Sequence, residues 1–351
     1  MNSFFSKIKK QNQYSPYIIA EIGVNHEGSM KNAKLMIEQA ARNGANAVKF
    51  QTYKADKLAS INSPAYWDLK LEKTKSQFHL FKKYDKFNKK DYISLYKYCK
   101  KYKIEFCSTP FDLDSVDFLN PYVNFFKIAS ADITNIPLLK KIASKKKPII
   151  LSCGASTLNE ITYAIKYLKK NGCIEVALLH CILNYPTLNH NANLNKITYL
   201  IKKFKKNVIG YSDHTIPDSR MTTLTTACFL GAKIIEKHFT YNKNLPGNDH
   251  YHSMNYSDLR IFNQQMLKIK DLLGSSKYSP IKLEGSARLN ARRSIVIIKN
   301  LKKGSIIQSN NITVKRPGNG ISPLDWENVL GKKVNKDLTK DHILTYRDLY
   351  K

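Results

Sequence analysis

The segments VIGYSDH at residues 208–214 and KIIEKH at residues 233–238 decide how this chain is expected to fold. Each is a short apolar run that predicts a strand, and each ends on a histidine, His214 or His238. A helix-like stretch separates the runs, so the two strands are expected to be parallel neighbours. Two imidazoles at the carboxyl ends of such strands would lie side by side at one mouth of an α/β barrel and could bind a divalent metal. The alternative is two core histidines that simply have hydrogen-bond partners.

Six apolar runs of the same kind precede these two. The eight predicted strands cover residues 17–22, 47–52, 104–109, 125–130, 148–153, 175–181, 208–214 and 232–238. Amphipathic segments between strands predict helices at residues 30–42, 90–101, 136–144, 158–170 and 217–230. Strands and helices that alternate over about 250 residues are typical of a (β/α)8 TIM barrel. A doubly wound open sheet is the alternative, but no glycine-rich dinucleotide fingerprint follows the first strand.

Every predicted strand ends in polar or ionisable side chains, whereas Val, Ile and Leu normally fill the inner layers of such barrels. These side chains are Glu21, Lys49, Gln51, Ser108, Thr109, Lys127, Ser130, Ser152, His180, Asp213, His214, Glu236 and His238. Two buried lysines among hydroxyl groups suit the binding of a phosphate or carboxylate. Histidines and carboxylates beside them suit a metal ion and proton transfer. The residues alone therefore predict metal-assisted chemistry on a phosphorylated or carboxylated small molecule.

Seven longer motifs between residues 20 and 320 resemble those of the sialic acid synthase family of N-acetylneuraminate- and legionaminate-type synthases, and the resemblance runs over about residues 17–350. They are AEIGVNH (20–26), VKFQ (48–51), STPF (108–111), FKIAS (126–130), YSDHT (211–215), IEKHFT (235–240) and KRPGNG (315–320). The resemblance implies an enzyme that condenses phosphoenolpyruvate with an open-chain N-acyl amino sugar. The sugar would be N-acetylmannosamine or a 6-deoxy diacetamido analogue. The products would be a nonulosonic (sialic-type) acid and phosphate, released by C–O cleavage.

The same resemblance, carried over residue by residue, implies a role for individual side chains. His214 and His238 would bind the metal, Mn²⁺ or Mg²⁺, and the catalytic residues would be Glu21, Lys49 and Lys127. Phosphoenolpyruvate would be bound by Lys49, Thr109, Lys127, Ser130 and Ser152. The sugar would be bound by Tyr185, Asp249 and Arg316.

One departure from the family pattern concerns the sugar. This chain has Ile182 and Leu183 where the family usually has Thr followed by Ser or Asn. A side-chain donor that could touch the substrate is therefore missing. The identity of the sugar stays open between N-acetylmannosamine, its 6-phosphate and a 6-deoxy diacetamido analogue.

The end of the chain predicts a second, smaller domain. Residues 1–278 would form the barrel, 279–293 a linker and 294–351 a mostly-β domain with strands at 294–298, 305–307, 312–314 and 333–334. This part resembles the antifreeze-like SAF domain, a β-clip fold, that ends the sialic acid synthases. A lone core of roughly 60 residues is marginal. The resemblance implies a domain-swapped homodimer in which Arg316 reaches the sugar bound by the partner.

The long connection at residues 53–91 contains Trp67, Phe78 and Phe81 among many lysines. Structureless loops beyond about 15 residues are uncommon unless they are functional. We interpret this segment as a partly helical lid beside the mouth of the site. A surface insertion without function is the alternative.

Composition limits the remaining possibilities. The net charge is +31, from 58 Lys and Arg against 27 Asp and Glu, but the lysines are spread along the whole chain. This distribution favours a compositional bias of the source genome over nucleic-acid binding. Residues 1–14 lack the apolar core of a signal peptide, and no run of about 20 apolar residues occurs. A cytoplasmic protein without membrane or nucleic-acid partners is expected.

Two hypotheses from other classes remain at this point. A Lys-type aldolase would form a Schiff base on Lys49 or Lys127. A non-catalytic carbohydrate- or nucleic-acid-binding protein on the same barrel would have lost its strand-end polar groups, which are intact here.

Overall fold

Eight parallel strands form the body of the protein in a computed structural model, which describes residues 4–10, 14–70, 72–247 and 249–351. They are β1 (Tyr17–Gly23), β2 (Ala47–Thr52), β3 (Glu105–Pro110), β4 (Phe126–Ile128), β5 (Ile149–Ser152), β6 (Val176–Cys181), β7 (Val208–Asp213) and β8 (Ile234–His238). The hydrogen-bonded order is β3-β2-β1-β8-β7-β6-β5-β4, and β3 packs beside β4, so the barrel is nearly closed. The predicted TIM barrel is confirmed, and each predicted strand end lies within two residues of the observed one.

Helices connect the strands and cover the outside of the barrel. In the first unit of the chain they are α1 (Phe4–Lys10), α2 (Met30–Arg42), α3 (Ala55–Leu58), α4 (Gln77–Tyr84), α5 (Lys89–Lys101), α6 (Leu113–Leu119), α7 (Ile136–Ala143), α8 (Leu158–Lys170), α9 (Asn195–Lys203), α10 (Thr222–Phe229) and α11 (Tyr256–Leu273). Among the described helices, none combines the length and the apolar character that a membrane crossing requires.

The helix predicted at residues 217–230 begins later than expected. The Asp218 side chain accepts the backbone N–H groups of Arg220 and Thr222 at 2.8 and 3.0 Å, which forms a turn in place of the first helical residues. Met221 then has a left-handed backbone conformation, with φ of 51°. The helix can therefore start only at Thr222.

The amino end of the barrel is closed by α1. Its side chains Phe5 and Ile8 are buried against the inward-facing layer of the barrel, which includes Ile19, Phe125 and Ile234. Burial of this apolar layer stabilises the end of the barrel opposite the strand-end polar groups. The sequence pattern did not predict this helix.

A close approach of β7 and β8 depends on Gly210. A Cβ atom at this position would lie 2.4 Å from the carbonyl oxygen of Ile234 and 2.6 Å from a methyl group of Leu179. Any larger residue would push the two strands apart. Because β7 leads to His214 and β8 ends on His238, the glycine helps to set the spacing of the two imidazoles.

Residues 275–351 form a separate compact unit. Its regular elements are α12 (Gly285–Ala291), α13 (Trp326–Val329) and the antiparallel strands β9 (Ser294–Ile297) and β10 (Ile312–Lys315). The strands predicted at 305–307 and 333–334 are reduced to single bridges, Ile306 to Lys333 and Val334 to Leu349. An apolar cluster that includes Ile295, Val329 and Leu344 forms the core of this small, mostly-β unit.

Candidate active site

A cavity of about 460 Å³ opens at the carboxyl end of the barrel strands. All the site residues predicted from sequence line it except Arg316, and those that do are Glu21, Lys49, Thr109, Lys127, Ser130, Ser152, Tyr185, His214, His238 and Asp249. Arg316 is an exposed residue of the separate 275–351 unit. In parallel barrels the strand ends meet at one face, and for this reason residues far apart in sequence surround one space.

Two buried lysines lie at the base of the cavity. The Nζ of Lys49 is 2.8 Å from a carboxylate oxygen of Glu21 and donates to the hydroxyl of Thr109 at 3.1 Å. The Nζ of Lys127 donates to the hydroxyl of Ser152 at 2.7 Å. Glu236 lies between the lysines, with Oε1 3.9 Å from Lys49 and 3.6 Å from Lys127. The arrangement combines two cations and several hydroxyl donors, which suits an anionic ligand.

The acidic groups of the cavity differ in proton affinity. Burial raises the pKa of Glu21 to about 7, with a further increase from Glu236 and an opposing effect from Lys49. Burial would also raise the pKa of Glu236, but Lys127 and Lys49 hold it below its ordinary value. Glu236 is therefore ionised at neutral pH, whereas Glu21 can accept or release a proton there.

The two lysines are also not equivalent. Burial would lower the pKa of Lys49, but Glu21 and Glu236 raise it above its ordinary value. Burial lowers the pKa of Lys127, although Glu236 opposes the shift. Lys49 is thus the more firmly charged cation of the pair.

The imidazoles of His214 and His238 lie side by side, with ring centroids 5.4 Å apart. The Nδ1 of His214 is 2.7 Å from the carbonyl oxygen of Ile182, so the proton is assigned to Nδ1 and Nε2 is left as an electron-pair donor. Burial lowers the pKa of His214 to about 4 and holds the pKa of His238 well below its ordinary value. Both rings are neutral at pH 7, which is the form that binds a metal.

His252 is a further histidine of this region that the sequence pattern did not predict. Ligand atoms of His238, Asp249 and His252 all lie within 4.8 Å of one another. The Nδ1 of His238 has no hydrogen-bond partner among the described residues and is 3.6 Å from a carboxylate oxygen of Asp249. Imidazole nitrogens next to a carboxylate fit a divalent metal ion. The group of possible metal ligands with the shortest mutual distances therefore differs from the predicted pair of histidines. It contains His238 together with Asp249 and His252 from the loop after β8, and it does not contain His214.

A buried ion pair on the outer side of the barrel holds the two histidine-bearing strand ends together. The fully buried Nζ of Lys237 is 2.5 Å from Asp213 and donates to the carbonyl oxygen of Thr215 at 2.7 Å. Asp213 also accepts hydrogen bonds from Tyr211 and from the backbone N–H of Thr215, at 2.8 and 2.9 Å. With these partners the buried carboxylate is well satisfied, so the backbone next to His214 and His238 is fixed.

The outer wall of the cavity is mostly apolar and aromatic. Tyr185 packs on His214 with ring centroids 4.1 Å apart, and Leu183 lines the cavity nearby. The segment at residues 53–88 contributes Leu58, Tyr66, Trp67, Leu80, Phe81 and Tyr84. It contains two short helices and is braced by Trp67, whose Nε1 donates to the carbonyl oxygens of Glu72 and Thr74, both at 3.1 Å. The segment predicted to be a partly helical lid therefore forms part of the cavity wall.

The positive charge of the cavity is limited to the base. Lys49 and Lys127 are the only Lys or Arg side chains among the described residues that line it. A ligand that spans the cavity can therefore place its anionic groups at these two lysines and must present neutral groups to the outer wall.

Comparison with known proteins gives family matches to both units. The NeuB family model matches residues 36–278, and the SAF domain model matches residues 292–349. The chain is 41% identical over 332 residues to N,N'-diacetyllegionaminic acid synthase of Campylobacter jejuni, which covers 93% of this chain and 98% of that protein. It is 36% identical over 340 residues to the Legionella pneumophila protein of the same name, with 95% and 94% covered.

A solved structure agrees with these matches. The crystal structure of N-acetylneuraminic acid (sialic acid) synthetase from Leptospira borgpetersenii superposes with a TM-score of 0.68 at 34% sequence identity. The match covers 79% of this chain and 91% of that chain.

Proposed function

Because the chain belongs to the NeuB family, we propose that it is a metal-dependent synthase that joins phosphoenolpyruvate to an open-chain N-acyl amino sugar. The products are a nonulosonic acid and phosphate, released by C–O cleavage. The observation that carries this proposal is the juxtaposition, in one cavity, of two buried lysines with hydroxyl groups and of neutral histidines with a carboxylate.

Phosphoenolpyruvate binds at the base of the cavity in this proposal. Its phosphate and carboxylate are held by Lys49 and Lys127, with the hydroxyls of Thr109, Ser130 and Ser152 as further donors. Charge-assisted hydrogen bonds in a buried site are stronger than those in water. Binding of the anion also adds to the negative charge of Glu21 and Glu236 in offsetting the charge of the two lysines.

The sugar occupies the outer part of the cavity, with Tyr185 and Asp249 as its contacts. His214 and His238 would hold Mn²⁺ or Mg²⁺. When bound, the ion supplies Lewis-acid polarisation of the sugar aldehyde. Both histidines are neutral, and the hydrogen bond to Ile182 fixes the ring of His214, so little reorganisation is needed there to present a nitrogen donor.

The reaction follows from this placement. Carbon 3 of phosphoenolpyruvate attacks the aldehyde carbon, a carbon–carbon bond forms, and the aldehyde oxygen takes up a proton. The former enol carbon becomes an oxocarbenium centre, which water attacks while Glu21 accepts the proton of the water. As the C–O bond breaks, phosphate leaves with the former enol oxygen and takes the proton of the new hydroxyl, which becomes the keto group. The proton on Glu21 then balances the one taken up by the aldehyde oxygen. Lys49 and Lys127 neutralise the anionic groups throughout and form no Schiff base, which separates this reaction from that of a Lys-type aldolase.

We further propose that the sugar is not phosphorylated and that a 6-deoxy diacetamido sugar is preferred over N-acetylmannosamine. The two cavity lysines are already used by phosphoenolpyruvate, and no other cation of the described residues lines the cavity. Leu183 and the aromatic wall favour a methyl group over a hydroxyl or a phosphate. The two relatives named legionaminic acid synthases point in the same direction.

A panel of three sugars tests the proposed function. With phosphoenolpyruvate and Mn²⁺, we expect phosphate release and the mass of the nonulosonic acid with the 6-deoxy diacetamido sugar, and slower turnover with N-acetylmannosamine. N-acetylmannosamine 6-phosphate should have a kcat/KM at least ~100-fold lower, because an unpaired buried charge costs several kcal/mol. Leu183→Asn is the matched variant and should shift preference toward N-acetylmannosamine. Exclusive use of the 6-phosphate would contradict the sugar assignment, and no product with any sugar would contradict the proposed function.

We also propose that the enzyme is a domain-swapped homodimer in which Arg316 contacts the sugar of the partner subunit. Arg316 is exposed at the start of a turn that contains Pro317 and two glycines, so its guanidinium is available to a ligand outside its own unit. In a two-fold symmetric dimer, the Arg316 of each subunit could contact the sugar bound by the other subunit.

Mixed dimers test this arrangement. Arg316→Ala is expected to raise the KM for the sugar much more than that for phosphoenolpyruvate. Co-expression of Arg316→Ala with His238→Ala subunits should restore roughly a quarter of wild-type activity, because about half of the dimers are heterodimers and one of the two sites in each has both intact groups. Mixed dimers as inactive as either parent would show that Arg316 acts on its own barrel or on none.

A further inference from the structure

His252 is a fully buried histidine beside the proposed metal site, and none of the roles above uses it. It lies in the loop after β8, which folds back onto the strand. The backbone N–H of Met254 donates to the carbonyl oxygen of His238 at 2.8 Å, and Asn25 donates to the hydroxyl of Ser253 at 3.0 Å. The loop is therefore anchored next to His252, to the end of β8 and to the segment after β1, and the backbone that bears the imidazole is held in place.

Distances place this ring within reach of an ion shared with the other two histidines. The ring centroid of His252 lies 5.0 Å from that of His238 and 6.3 Å from that of His214. Imidazole nitrogens bind divalent metals at about 2.0–2.2 Å, so the ring centroids of two ligands of one ion are at most about 6.5 Å apart. The His238–His252 and His214–His238 pairs, at 5.0 and 5.4 Å, are well within this limit, whereas the His214–His252 pair is close to it. The ligand atoms that lie within 4.8 Å of one another are those of His238, Asp249 and His252, and His214 is the more distant neighbour of this group.

We propose that His252 is a third imidazole ligand of the catalytic metal, next to His214 and His238, with the Asp249 carboxylate at its edge. The inference rests on the metal dependence in the proposed function and goes beyond it, because it identifies a further ligand and the class of metal. The carboxylate oxygen belongs to the same tight group as His238 and His252, whose ligand atoms lie within 4.8 Å.

The donor set determines which metals bind well. Three imidazole nitrogens and one carboxylate oxygen suit Mn²⁺, Co²⁺ or Zn²⁺, whereas Mg²⁺ prefers oxygen ligands and keeps several of its waters. A site with only His214 and His238 as nitrogen ligands would leave more coordination positions to water and would discriminate less between these metals and Mg²⁺. The third imidazole therefore makes the site selective for transition metals over Mg²⁺.

Metal binding to the full-length protein without substrates tests this proposal. Mn²⁺ is titrated and followed by electron paramagnetic resonance, and the bound nitrogens are counted by electron spin-echo modulation. We expect three nitrogen couplings in the wild type, two in His252→Ala, and at least ~10-fold weaker Mn²⁺ binding in that variant, with Mg²⁺ affinity far lower throughout. His250→Asn is the matched control, because His250 lies in the same loop but outside the tight ligand group, and should retain three couplings.

The possible outcomes separate this inference from the proposed function. Two couplings in the wild type, or an unchanged count and affinity in His252→Ala, would overturn the role of His252 while leaving a metal-dependent synthase intact. Failure of the wild type to bind Mn²⁺ at all would overturn both. If His252→Ala does not fold, the number of nitrogen couplings is compared between the wild type and His252→Gln, which keeps a polar side chain. Three couplings in the wild type and two in His252→Gln would support the role of His252, and equal numbers would overturn it.

Discussion

His238→Ala is expected to lower turnover by at least ~10³-fold, since loss of the Lewis acid removes several kcal/mol of transition-state stabilisation. His238 ends β8, is neutral at pH 7, and belongs both to the predicted histidine pair and to the tight ligand group. His214→Ala should have a similar effect. Phosphate release measured with saturating phosphoenolpyruvate and sugar checks both variants.

Removal of the metal by a chelator tests the same prediction without a mutation. Excess chelator should abolish the activity of the wild type, and added Mn²⁺ should restore it. His180→Gln is the matched control, because His180 is also a buried strand-end histidine but is hydrogen-bonded to the carbonyl oxygen of Ala192 at 2.8 Å and does not line the cavity. It should retain activity within a few-fold. Full activity of the wild type in excess chelator would rule out the metal assignment.

Glu21→Gln is expected to lower kcat/KM by roughly 10²–10⁴-fold, the usual contribution of a positioned general base. Burial raises the pKa of Glu21 to about 7, so below that pH the carboxyl group is protonated and cannot accept the proton of the attacking water. The wild-type kcat/KM should therefore rise with pH to a plateau above about 7. In Glu21→Gln this rising limb should disappear.

Glu105→Gln is the matched control for this profile. Burial raises the pKa of Glu105 as well, but this residue begins β3 at the opposite end of the barrel, and its carboxylate accepts a hydrogen bond from the Asn124 amide at 2.6 Å. It should leave the pH profile unchanged. If Glu21→Gln keeps both the rate and the rising limb, the proton acceptor is another group.

The strands were predictable from sequence because buried parallel strands are continuous apolar runs that end abruptly in polar residues. The main difference is at β4, which ends at Ile128 because Ser130 begins a 3-10 turn (Ser130–Asp132). The strand-end side chains Lys49, Lys127 and His214 were equally accessible to prediction, since barrel geometry brings all carboxyl ends to one face.

Features that depend on tertiary packing were not predictable from a periodic pattern. Helix α1 buries only Phe5 and Ile8, too few residues to produce an amphipathic signal, and is held by packing into the barrel end. His252 lies in an irregular loop, which hydrogen bonds from Met254 to His238 and from Asn25 to Ser253 hold beside the site. Sequence spacing carries no information about such a return of the chain.

Isotope transfer from solvent tests the central claim most directly, because it reports which bond of phosphoenolpyruvate breaks. In H₂¹⁸O, with phosphoenolpyruvate, the 6-deoxy diacetamido sugar and Mn²⁺, water attacks the former enol carbon in the proposed reaction. Mass spectrometry of the products should then find one ¹⁸O atom in the nonulosonic acid, measured before exchange at the keto carbon, and none in the released phosphate. Label in the phosphate would mean that water attacks phosphorus and that the P–O bond breaks, which would contradict the proposed synthase reaction.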